Sequence, residues 1–125
     1  MMDITRRNYP AIGQPGGPFC HAVRAGNWLF ISGATAGSTD AAHGTAAQQA
    51  EAVLQKLSHI LEAEGASLAN VVKVTVFLTD MSDRAEIASV RERYFQGGYP
   101  ASTLVQVAAL AAPNLKLEIE AVAAL

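Results

Sequence analysis

A single cysteine, Cys20, stands in the 125 residues, so the chain can form no internal disulfide and no cysteine-cluster zinc site. That usage fits a reducing compartment. Charge is scarce as well: 16% of residues are charged, nine basic against eleven acidic, for a net charge of −2. No cationic footprint exists to hold a phosphate backbone, so nucleic acid is not an expected partner. The histidines at 21, 43 and 59 show none of the close spacings of zinc ligands, and neither a metal nor a cofactor is implied. After Arg6 and Arg7 no apolar run follows, which argues against a signal peptide or a membrane anchor. The expectation is a cytoplasmic protein with no membrane partner.

What the chain does have is apolar surface. Half of its residues are hydrophobic, more than one small core needs, so part of that surface is expected to be buried between copies in a homo-oligomer. The length suits one domain over 1–125. The stretch "MMDITRRNYPAIGQPGGP" holds three prolines and three glycines and reads as an extended lead-in. "HAVRAGNWLFISG" reads as a hairpin about Gly26 and Asn27, with Trp28, Leu29, Phe30 and Ile31 as a buried run. A helix is predicted over Ala46 to Glu64, since Ala50, Val53, Leu54, Leu57, Ile60 and Leu61 recur at three and four and Gly65 supplies a stop.

"NVVKVTVFLTD" then reads as a strand with Val72, Val74, Val76 and Leu78 on one face. Asp83 and Glu86 have the spacing of a capping box for a second helix to about Tyr94, with Ile87, Val90 and Tyr94 inward. Two last strands, "STLVQVAAL" and "LKLEIEAVAAL", are divided by Pro113 and Asn114. The order β-β-α-β-α-β-β predicts an α+β sandwich, a mixed sheet with two helices on one face. Phe77, Leu104, Phe30 or Trp28 on the other face would be costly to expose, at ~25 cal/mol per Å² of apolar surface. Packing against symmetry mates would cover it, and Glu118 would then lie in a cleft between subunits.

The ordered segments "GGPFCHAV", "NWLFISG", "AAQQAEAVLQKLSHILEAEGASLANVVKVTVFLTDMSD", "RYF", "YPASTLVQV" and "LKLEIEAVA" resemble the signatures of the RidA/YjgF/YER057c/UK114 family over nearly the whole chain. The resemblance implies a chorismate-mutase-like fold, a homotrimer forming a central barrel, and small-molecule clefts at the subunit interfaces. It also implies hydrolysis of enamines and imines, such as 2-aminoacrylate, to a keto acid and ammonia. Carried over residue by residue, the family's aromatic after Gly-Pro falls on Phe19, where a hydroxyl is lost, and its Ser-Gly falls on Ser32 and Gly33. The glutamate that places or activates water falls on Glu118. The arginine that grips the substrate carboxylate falls on Ser102, which cannot replace it, because no serine rotamer reproduces a charged planar fork of donors. Where the family often carries Asn and Tyr on the second helix, this chain has Ala88 and Arg91, and Arg91 is a candidate substitute cation.

Cys20 beside His21 invites a nucleophile and its base, but neighbours on an extended chain point to opposite sides. Phe19 and His21 are therefore expected to share the cleft while Cys20 turns to the core. Two readings stand: an imine or enamine hydrolase of altered specificity, with Glu118 catalytic and Phe19, His21, Ser32, Gly33, Ser102 and Arg91 contacting substrate, or a catalytically inactive trimeric metabolite-binding or regulatory protein. An endoribonuclease is the least supported class, given the acidic balance. On the cleft reading, a Cys20→Ser variant keeps whatever turnover the protein has, as measured by product release.

Overall fold

The computed structural model describes residues 1–125. Alternation is the rule that builds its sheet. In β3 (Trp28–Ala34), Leu29 and Ile31 are buried while Trp28 and Phe30 remain 45% and 49% exposed, so the expected buried run is a one-sided strand. β6 (Leu117–Ala124) buries Leu117, Ile119, Ala121 and Ala123 and turns Glu118 and Glu120 the other way. With β1 (Ile4–Arg7), β2 (Ala22–Ala25), β4 (Val71–Leu78) and β5 (Ala101–Gln106), these form one six-stranded sheet in the order β1-β2-β3-β6-β4-β5. All pairs are antiparallel except β4 with β5.

The two helices, α1 (Ala46–Ala63) and α2 (Arg84–Phe95), send Val53, Leu54, Leu57, Ile60, Leu61, Ile87 and Val90 into one core with the inward strand residues. Thr45 caps α1 in a reciprocal box with Gln48. Gly65, at φ 76°, ends it as expected: its N–H reaches the Glu62 carbonyl and that of Ala66 reaches Leu61, the paired bonds of a Schellman stop. Gly26, at φ 59°, takes the first central position of the β2–β3 turn, where a positive φ favours glycine.

Several expectations need correction. The lead-in is partly regular: β1 pairs with β2, giving the order β-β-β-α-β-α-β-β. All four β1 residues are exposed, so this edge strand carries no apolar alternation by which to be seen. In β4 the inward residue is Val71, and Val72 is exposed, because the register with β6 slips by one residue between Val71 and Lys73 and reverses the phase. Leu104 faces the core, opposite Val76 in the parallel pair. Strand β5 stops at Gln106, four residues short of the reading. The Asp83–Glu86 box does not form: Asp80 accepts from the Ser82 N–H at the preceding turn, and Glu86 accepts from the Ala47 N–H at the start of α1. Tyr94 is only half-buried and Phe95 takes the inward place.

One polar side chain sits in the core. Gln49 is fully buried; its amide nitrogen donates to the carbonyls of Ala42, Gly44 and Asn114, and its oxygen accepts the Lys116 N–H. It ties the loop before α1 to the segment before β6, and truncation strands buried partners that water does not reach. Gln49→Ala is expected to cost more than about 2 kcal/mol in denaturant unfolding, with the midpoint falling at unchanged slope.

Candidate active site

The uncovered sheet face bears Glu118 and Glu120, opposite Phe77 and Thr75 of β4. On the other flank of β6, β3 carries an extra residue: Ile31 pairs with Ala121, yet Ala34 pairs with Ile119. This bulge contains Ser32 and Gly33 and bends β3 away beside Glu118. A Cβ on Gly33 would stand 2.7 Å from the Glu118 Cδ and 2.9 Å from its Cγ and Oε1. The carboxyl therefore rests directly on the glycine backbone, and the glycine is required for space.

Phe19, His21, Ser32, Gly33, Lys56 and Glu118 line one cavity of about 240 Å³. Burial, and then the neighbouring Glu120 charge, push the Glu118 carboxyl above the ordinary glutamate value, and no hydrogen bond offsets this. Such a carboxylate is a better proton acceptor than an exposed one. Ser32 is held in place from both ends: its Oγ donates to the Cys20 carbonyl at 2.7 Å and its N–H to the His21 carbonyl at 3.0 Å. The His21 Nδ1 accepts the backbone N–H of Tyr9 at 2.9 Å, and the backbone N–H of His21 donates to Asn8 Oδ1. Tyr9 is buried against His21 and His59, with its hydroxyl donating to Glu64, which also pairs with Arg7. Burial and Glu64 push that phenol up to about 12, so it stays a donor.

The structure therefore brings Phe19, His21, Ser32, Gly33 and Glu118 together. Cys20 is not in the cavity, and it is half-buried outside the core cluster rather than packed into it, because Pro18 and the bends around it interrupt the extended chain. Arg91 and Ser102 do not join the group. Ser102 lies opposite the inward-facing Val74, on the helix side of the sheet edge, and its Oγ accepts from Arg91 Nη2 at 2.7 Å. With Ala88, Glu92, Phe95, Tyr99 and Pro100 they line a second cavity of about 280 Å³. Lys56 went unread in the sequence. The available signal is its place on α1, three residues after Val53 and four before Ile60, beside the apolar stripe. No three His, Cys, Asp or Glu side chains gather as a metal-holding group, and no helix is long and apolar enough to cross a membrane.

A bulged mixed sheet backed by two helices, with a desolvated glutamate on its open face, defines a small α+β protein with a polar cleft at the sheet surface. Residues 11–125 match the family model described as Endoribonuclease L-PSP, and the chain belongs to that family, the RidA/YjgF family. It is 41% identical to the RutC family protein PH0854 of Pyrococcus horikoshii, over 88% of this chain and 89% of that one. It is 35% identical to the human protein named 2-iminobutanoate/2-iminopropanoate deaminase, over 98% of this chain and 93% of that one. Among solved structures, PA3499 of Pseudomonas aeruginosa, a protein of unknown function, superposes with a TM-score of 0.91 at 35% identity, covering 99% of this chain and 94% of that one.

Two expected outcomes test this geometry. Gly33→Ala displaces the Glu118 carboxyl, so ligand binding or turnover in the cavity falls sharply while circular dichroism keeps the native signal. For Glu118 itself, the folded state holds the proton more tightly than the unfolded chain does. Stability is therefore lost as pH rises through the window between its ordinary and its raised value. Glu118→Gln removes this penalty, and its Tm is expected to exceed that of the wild type at neutral pH but not at a pH below that window.

Proposed function

We propose that the chain is a small-molecule hydrolase acting on the C=N bond of imines, or on enamines that tautomerise to them, with a specificity altered by Ser102 in place of the family arginine. The observation that carries this reading is the Glu118 carboxyl, raised by burial, free of hydrogen bonds and seated on Gly33 in a cavity of about 240 Å³. Relatives named 2-iminobutanoate/2-iminopropanoate deaminase support the reaction class. In the reaction, Glu118 takes a proton from water as the water oxygen bonds to the imine carbon and passes that proton to nitrogen, where the C=N π pair becomes the new N–H bond of a carbinolamine. The carbinolamine then collapses: Glu118 takes the hydroxyl proton as the oxygen forms C=O, nitrogen leaves with the carbon–nitrogen pair, and the same proton passes from Glu118 to complete ammonia. Water and imine become ketone and ammonia, with the carboxylate restored.

In the homotrimer that the family resemblance implies, the open face would be covered, and with it Trp28, Phe30, Val72 and Val105, all exposed in the single chain. Arg91 and Ser102 would then reach the Glu118 cleft only from a neighbouring subunit. The second reading, a metabolite-binding protein without turnover, is favoured by the absence of arginine at Ser102. The endoribonuclease in the family description finds no support in a net charge of −2.

Ammonia release from 2-iminopropanoate and 2-iminobutanoate, generated in situ by an amino-acid oxidase, decides between the readings. Wild type is expected to exceed buffer, with Glu118→Gln falling to the buffer rate and kcat/KM declining as pH drops through the raised Glu118 pKa. A wild-type rate equal to buffer across a panel of imines would leave the binding protein.

A further inference from the structure

Hydrolysis by Glu118 leaves the two other ionisable groups of the same cavity, Lys56 and His21, without a task. The Lys56 Nζ donates to the carbonyls of Thr35 at 2.7 Å and Gly37 at 2.9 Å. An ammonium has three donors, so one remains. No carboxylate pairs with it, since the ion pairs of the chain are Arg7 with Glu64 and Arg93 with Glu51. The half-buried lysine is thus a cation at the cavity wall whose charge nothing nearby neutralises, and burial alone pulls its pKa down.

His21 adds a donor of known sense. A ring nitrogen that accepts a backbone N–H carries no proton, so with Nδ1 bound to the Tyr9 N–H the proton of the neutral ring is on Nε2. Charging the ring would set two N–H groups against each other at 2.9 Å. Burial and the Lys56 charge oppose the imidazolium in the same direction. Tyr9 stacks on the ring, with His59 edge-on to Tyr9 beyond it, and Lys56 from α1 and Glu118 from β6 line the same cavity. The ring is held from behind by a chain of contacts through Tyr9 to Glu64 and Arg7.

We infer that Lys56 and the Nε2–H of His21 form an anion-binding end of the Glu118 cavity and take the carboxylate of a 2-imino or 2-oxo acid. This rests on the imine-hydrolase reading and supplies within one chain the cation that is lost at Ser102. A carboxylate seated there has its C=N carbon one bond away, within the cavity that Glu118 also lines. The cation is not spent on that glutamate, whose environment is set by burial and Glu120. Arg91 cannot serve the same cavity in one chain, because it donates to Ser102 on the helix side of the sheet.

Pyruvate and its neutral methyl ester, titrated by calorimetry against the full-length protein, test the inference. Pyruvate is expected to bind, Lys56→Gln to weaken it about tenfold or more, and His21→Phe to weaken it less, with the ester unchanged in both. Gln keeps amide donors for the Thr35–Gly37 loop, and Arg91→Gln tests the competing cation that a neighbouring subunit would bring to the cleft. Should either variant fail to fold, nitrogen-15 spectra of the wild type replace it. Nδ1 of His21 is expected unprotonated at neutral pH, and pyruvate is expected to shift Nε2 of His21 and Nζ of Lys56. Absence of pyruvate binding, equal affinity in Lys56→Gln, loss confined to Arg91→Gln, or a protonated Nδ1 overturns the inference. Pyruvate held by Lys56 without ammonia release from imines would sink the hydrolase reading alone; ammonia release with Lys56-independent pyruvate binding would sink the anion end alone.

Discussion

The pairing of β3 with β6, and the one extra residue that β3 inserts into it, is the constraint on which the rest of the arrangement depends. Both strands must put Leu29, Ile31, Leu117, Ile119 and Ala121 into the core, and a sheet has only two faces. The bulge sets the Gly33 backbone against the Glu118 carboxyl, and a Cβ on it would stand where that carboxyl lies. The bulge keeps the hydrophobic register on either side of it and opens a recess between. Desolvation of Glu118 is the electrostatic result, and no hydrogen bond relieves it.

Around that recess the polar groups are held by parts of the chain that the sheet alone would not order. Tyr9, reaching back from the N-terminal segment, sets the tautomer of His21 and is itself fixed by Glu64 at the end of α1. Lys56 spans from α1 to the carbonyls of Thr35 and Gly37 just past β3. Gln49 performs the same kind of tie at the other end of the helix, joining Ala42, Gly44, Asn114 and Lys116. The His21 ring, Lys56 and Gln49 are each side chains satisfying backbone groups that would otherwise be left without partners. The cavity is thereby given a donor-rich end and a carboxyl end.

The uncovered face fits the same logic. Trp28 and Phe30 alternate outward because Leu29 and Ile31 alternate inward, so a good core in one layer produces apolar surface on the other. That surface lies beside the recess, with Phe30 close to Ser32, Thr75 and Glu120 in a neighbouring hollow. Arg91 and Ser102, by contrast, belong to the helix side of the sheet edge. The difference follows from strand parity: Ser102 pairs with an inward residue of β4, and Glu118 with an outward one.

Periodicity determined the helices and the alternation of the last strand, and glycine chemistry the Gly65 stop and the hairpin about Gly26, since these depend on residues near in the chain. The ordered segments also carried the family and located Phe19, Ser32, Gly33 and Glu118. Tertiary structure decided what spacing does not encode. An exposed edge strand such as β1 has no buried face to show a period, and the single-residue slip that turns Val72 outward leaves no mark in composition. The Glu86 carboxylate accepts from the start of α1 and not from its own helix, because the N–H it satisfies, that of Ala47, is close in space and 39 residues away in sequence. Lys56 became part of the cleft for the same reason: its role depends on carbonyls 19 and 21 residues away, brought to it only when the sheet and helix pack.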